Sequence, residues 1–187
     1  MKQTSNTLTG GWPLAAVGLI ALANQAAQAY PDGAPWGTAS PASHESCSNC
    51  HYDYEPVNDS RALRIDGLPR IAAPGAEYEL VVRLNAEDAS VSGFQLLALA
   101  EGMSAGSFRS DDDNVESIGS STRSTRPEIA ADGAAWSLTW RAPQSDNLPI
   151  VMYLAANASN DDQSPLGDTI HYRTFVVRVI HEERESQ

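Results

Sequence analysis

Between Ala62 and Ile180 the apolar residues come in short runs, and none keeps a 3.6-residue rhythm long enough for a helix. The runs are ALRIDGL, EYELVVRLN, SGFQLLALAE, AWSLTWRAP, PIVMYLAANAS and TIHYRTFVVRVI, divided by clusters of Gly, Pro, Asn and Asp. Alternating runs bounded by turn residues read as strands, and strands without helices bury one face each against a second sheet. The expected fold is therefore all-β, an antiparallel β-sandwich over residues 61–180. In AWSLTW, alternation puts Trp136, Leu138 and Trp140 on one face, which predicts a core position for all three. Tyr78, Leu80 and Val82 follow the same rule. The polar gap from Gly102 to Ala135 offers two weaker strand candidates, around Ser107–Arg109 and Ser120–Glu128.

The first 29 residues read differently. Lys2 is their sole charged side chain, PLAAVGLIALA makes a short apolar core, and AQA at Ala27–Ala29 supplies small residues where a signal peptidase cuts. We expect a signal peptide over 1–29 and a mature chain from Tyr30; an uncleaved anchor is the alternative, though the apolar run is short for a membrane span. No second long apolar stretch follows, and 181–187 form a polar tail. The mature protein is expected to be exported, to the periplasm or cell surface, without an anchor of its own. A formal net charge of −12 argues against nucleic acid and anionic lipid as partners. It suits solubility first, and would also suit a basic protein partner.

Residues 30–60 are rich in Pro, Gly, Ser and Asp, with no apolar periodicity, so something besides their own core must pin them. They hold both cysteines of the chain, in Cys47-Ser48-Asn49-Cys50-His51. C-x-x-C-H is the spacing of covalent haem c attachment. Two intervening residues let the thiols reach neighbouring vinyl groups, and the next residue can offer a ring nitrogen to the iron. Cys47 and Cys50 are thus candidate anchors and His51 the candidate proximal ligand. A flat apolar group would also give this coreless stretch something to fold around. Competing readings are a Cys47–Cys50 disulfide and a zinc site completed by His44. For a distal iron ligand the candidates are His171 first and Met103 second, with an open position as the alternative. Met152 reads as core, and His44 and His181 as surface residues. Asp111–Asp113 and Asp161–Asp162 could bind calcium but lack an EF-hand pattern, so solvated loop is the default. No Ser/His/Asp order, phosphate loop or carboxylate pair stands out, and an enzyme is not expected.

The order of YPDGAP, SGFQLLALAE, AGSF, AWSLTWRAP, VMYLAANASN and GDTIHY resembles reelin-type (Reeler) domains. It is most similar to a bacterial branch, sometimes labelled choice-of-anchor V, with a C-x-x-C-H segment ahead of the sandwich. The resemblance spans nearly all of residues 30–179. It implies an immunoglobulin-like sandwich, export, and a framework role for Gly93, Phe94, Gly167, Asp168 and the WRAP stretch. The chain differs from many such proteins in showing no C-terminal anchor, so surface attachment does not carry over. The reading as a whole is an exported monohaem c-type cytochrome-like protein passing single electrons to a redox partner. The alternatives are a haem-based sensor and a haem-free binding or adhesion module whose cysteines are bridged or hold zinc.

Overall fold

The computed structural model describes residues 33–40, 46–87, 89–144, 149–162 and 164–180. The expected signal peptide, Tyr30, His44, His181 and the polar tail lie outside these residues. Twelve strands follow a short helical turn at Cys47–Asn49. They are β1 (Leu63–Asp66), β2 (Ile71–Ala72), β3 (Glu77–Leu84), β4 (Val91–Ala100), β5 (Met103–Ser104) and β6 (Ser107–Arg109). Then come β7 (Val115–Ile118), β8 (Ser121–Ser124), β9 (Glu128–Ile129), β10 (Ala134–Arg141), β11 (Pro149–Ser159) and β12 (Thr169–Val179). The six long runs of the sequence are β1, β3, β4, β10, β11 and β12. The polar gap after Gly102 is more structured than expected, holding β5 to β9. Its turns are tight: Glu101 and Gly102, with φ of 48° and 80°, form the two-residue loop between β4 and β5, the positive-φ geometry that hairpins favour.

Two sheets face each other. One runs β1-β3-β10-β6; the other runs β2-β12-β11-β4-β8-β7, with β5 and β9 also paired to β4. Pairing between the strands is antiparallel, as expected, with one parallel exception. β2 pairs in parallel with the end of β12 (Arg178 with Ile71, Val179 with Ala72), because it follows β1 across the sandwich and meets the edge strand travelling the same way. No helix among the described residues is long and apolar enough to cross a membrane.

The core lies between the sheets as alternation requires. Trp136, Leu138 and Trp140 on β10 and Leu80, Val82 and Leu84 on β3 are buried against Phe94, Leu96 and Ala98 on β4 and Ile150, Met152 and Leu154 on β11. Phe94 and Trp136 rings meet at 4.8 Å, tilted by 37°, and Tyr78 stacks on Trp140 at 6.0 Å. Met152 is core, as read from the sequence.

Three strands depart from simple alternation. Phe94–Gln95–Leu96, Leu154–Ala155–Ala156 and Ile170–His171–Tyr172 are each buried at three consecutive positions. Consecutive burial means that both faces of the sheet are covered. Ala39, Ala155, Ile170 and Tyr172 form a second apolar cluster, with Cys47, Leu97 and Tyr153 packed against it. The N-terminal segment supplies this third layer, on the outer face of the larger sheet.

Candidate functional site

A segment with no core of its own is held here by contacts with the sheet, first among them a buried side chain. Gln95 projects outward from β4, where Phe94 and Leu96 project inward. Its Oε1 accepts from the Ala39 backbone N–H (2.9 Å) and the Thr38 hydroxyl (3.2 Å), and its Nε2 donates to the Pro35 carbonyl (2.8 Å). Beside it on β8, Arg123 donates to the Ala34 carbonyl and lies 4.4 Å over the Trp36 ring. Further along, Val57 bridges in parallel to His171, with Val57 N–H donating to the Ile170 carbonyl (2.8 Å) and Tyr172 N–H to Val57 (2.9 Å). The chain is thus fastened to the sheet on both sides of the cysteine motif.

The motif itself is one turn of helix. Asn49 N–H donates to Ser46 O (3.0 Å), and the N–H groups of Cys50 and His51 both donate to Cys47 O (3.3 and 3.1 Å). Positions i, i+3 and i+4 of a turn share a face, so Cys47, Cys50 and His51 are gathered on one side. That side borders a cleft of about 1060 Å³. Gly93, Ala155, Asn157 and Ile170 of the outer sheet face contribute to it, as do Arg126, Pro127 and Ser164 of the loops beyond.

Both cysteines are free thiols. Cys47 Sγ lies 3.5 Å from Thr38 O, and Cys50 is exposed. Burial pushes the Cys47 thiol pKa up, against the Thr38 hydrogen bond that lowers it. Tyr172, whose hydroxyl accepts from Ser48 N–H (3.2 Å), is likewise raised, chiefly by burial. Among the described residues no three His, Cys, Asp or Glu side chains are gathered to hold a metal ion; His44, the expected fourth zinc ligand, is outside them.

His51 meets a residue that the sequence reading assigned to the framework. Its Nδ1 stands 2.9 Å from Asp168 Oδ2, with the His51 side chain 19% exposed and Asp168 only 2%. Nδ1 is thus a buried atom close to the carboxylate without an aligned hydrogen bond. Asp168 also accepts from Asn157 Nδ2 (2.8 Å) and, at longer range, Asn160 N–H (3.4 Å). Burial alone would raise its pKa; His51, Asn157 and Ser159 outweigh that and hold the carboxyl below its ordinary value. Asn157 Oδ1 is buried without a partner beside the same cleft.

The two expected distal ligands are elsewhere. His171 pairs with Ala156, whose side chain is core, and so faces the interior of the sandwich rather than the outer face. It is 2.8 Å from Ser60 Oγ there, and burial lowers its pKa. Met103 is 66% exposed on β5, and neither residue borders the cleft. Strand alternation sends the His171 side chain to the inner side of the sheet, and a hairpin carries Met103 away from the motif. Of the acidic stretches, Asp112 serves a turn, with Oδ1 accepting from Asn114 N–H (2.9 Å), and Asp162 does the same for Ser164 (2.9 Å).

The residues present fit a covalently held haem in three respects: two thiols and an imidazole on one turn, a cleft of sufficient size, and small side chains at Gly93 and Ala155 along its floor. No protein-family model and no curated protein matches the chain. Among solved structures it is similar to the reelin-N domain of F-spondin, with a TM-score of 0.51 and 18% identity over 68% of this chain and 91% of that one. It is also similar to the human F-spondin reeler domain, with a TM-score of 0.48 and 16% identity over 67% of this chain and 93% of that one. The fold of this chain is a Reeler-like all-β sandwich.

Proposed function

We propose that the chain is an exported carrier of one covalently attached haem, passing single electrons. The observation that carries this reading is the turn that brings Cys47, Cys50 and His51 together at the edge of a cleft. Cys47 and Cys50 hold the group by thioether links, and His51 offers its ring nitrogen to the iron. The bound group supplies a one-electron iron couple. Gln95 and Arg123 keep the attachment segment on the sheet, and Ile170 and Ala155 exclude water from the cleft floor. The excess of carboxylates on the chain gives a basic redox partner a docking surface.

The test is the colour and chemistry of protein matured in a host with haem-attachment machinery. A reduced-minus-oxidised difference spectrum is expected, as is haem that stays on the polypeptide through acid–acetone extraction. The Cys47→Ala, Cys50→Ala double variant is expected to lose it. A colourless wild type from such a host overturns the reading. The unpartnered Asn157 Oδ1 beside the cleft then favours a haem-free binding module, with the cleft as its ligand site.

A further inference from the structure

We infer that Asp168 is a positioning residue for His51: it holds Nδ1 from the sheet side and leaves Nε2 as the ring nitrogen free to bind iron. The inference rests on the proposed role of His51 for its functional meaning, but its geometry stands apart from any haem.

An ionised carboxylate at 2% exposure is costly unless donors surround it. Asn157 Nδ2 and the Asn160 N–H donate to it, and His51 Nδ1 stands 2.9 Å from it. The first two are framework contacts that knit β11 to the loop before β12. Between them they already use both acceptor oxygens of the carboxylate, Asn157 on Oδ2 and Asn160 on Oδ1. Asn157 donates to the same Oδ2 that His51 approaches, so the oxygen is itself held in place. The segment is held nearby from a second point, Asp53 Oδ2 accepting from Gly167 N–H at 3.1 Å. A carboxylate on the far nitrogen fixes the tautomer and ring orientation of a ligating histidine and makes the other nitrogen a stronger donor. A stronger donor favours the oxidised iron.

The experiment uses the full chain in haem-loaded and haem-free form, with wild type compared to Asp168→Asn. In the haem-free chain, ¹⁵N NMR of the His51 ring at a pH where it is neutral is expected to show the Nδ1–H tautomer, with a shift toward Nε2–H in Asp168→Asn. In the loaded chain, the variant is expected to show a raised reduction potential and a lowered iron–histidine stretching frequency. A loaded wild type whose potential, stretch and tautomer are all unmoved by Asp168→Asn overturns the inference while the haem reading stands. If no haem attaches, the haem reading falls and the tautomer alone decides: an Nε2–H ring in wild type overturns the role of Asp168. That measurement needs no variant, so a poorly folding Asp168→Asn does not protect the inference.

Discussion

Replacing Gln95 by Leu should loosen the cysteine segment while leaving the sandwich folded. Leucine fills a similar volume but removes both the acceptor and the donor that hold residues 35–39. The Thr38 hydroxyl has a second acceptor in Pro35 O at 3.1 Å, so its loss costs little. Ala39 N–H is different: it is buried and has Gln95 as its partner. Orphaning it costs about 1–3 kcal/mol, and losing the Nε2–Pro35 bond about 0.5–1.5 more. The total of about 1.5–4.5 kcal/mol can be escaped by lifting the segment off the sheet, since each 1.4 kcal/mol is tenfold in population. Opening should therefore become roughly 10- to 1,000-fold more frequent, provided that the segment lifts as a local unit. Cys47 reports this directly, because it is partly buried with its thiol beside Thr38 while Cys50 is exposed. In haem-free protein, iodoacetamide should label Cys50 first in wild type, and Cys47 labelling should speed up in Gln95→Leu by about the same factor as opening. Hydrogen exchange at Ala39 should accelerate with it, while exchange at Leu138 in β10 stays slow. Unchanged Cys47 labelling and Ala39 protection would refute the reasoning, since the segment would then be held without Gln95.

Trp140→Ala should cost about 3–5 kcal/mol in urea unfolding, the usual loss for a fully buried large ring, whereas Asp111→Ala, fully exposed, should shift the midpoint little. His171 carries a pH dependence with a definite sign. Burial sets its folded pKa below the ordinary 6.5, so the unfolded chain binds the proton more readily. Its contribution is intact above about 6.5 and is lost as pH falls from there toward the folded value; His171→Gln should flatten that part of the urea-midpoint profile between about pH 8 and 5.

Alternation alone placed the core, because each sheet has one face toward the other: Trp136, Leu138 and Trp140 behave as period two demands. The same alternation carried information about His171 that a search for iron ligands passes over. Sharing a face with Val177 and Val179 puts it inside the sandwich, where it cannot reach a group on the outer surface. The third layer left a fainter mark. In FQL, LAA and IHY no polar residue separates the buried ones except Gln95 and His171, and each of those has a buried hydrogen-bond partner. Runs that fail to alternate in neighbouring strands signal a sheet covered on both faces. Which segment does the covering was not legible, since residues 33–40 have no periodicity and are fixed by Gln95 and Arg123 at sequence separations near 60 and 90. Asp168 was hidden for the same reason, its link to His51 being made by the docked segment.

The location of the cleft follows from packing. Between the sheets, two tryptophans, Phe94 and a dense set of branched aliphatics interdigitate, and an interior at crystal-like density has no room for a large ligand. Among the described residues the outer face of the larger sheet has no second sheet against it, and at Gly93 and Ala155 it carries little side chain. A loop-built layer can stand off from such a surface and leave a space bounded by sheet on one side and chain on the other. Function then depends on side chains grafted onto a common sandwich rather than on the sandwich itself. The cysteines and His51 come from the graft, whereas Gln95, Arg123 and Asp168 come from the scaffold and lie at the points where the graft is held. A change that keeps the motif but removes those three should leave the fold intact and the site disassembled.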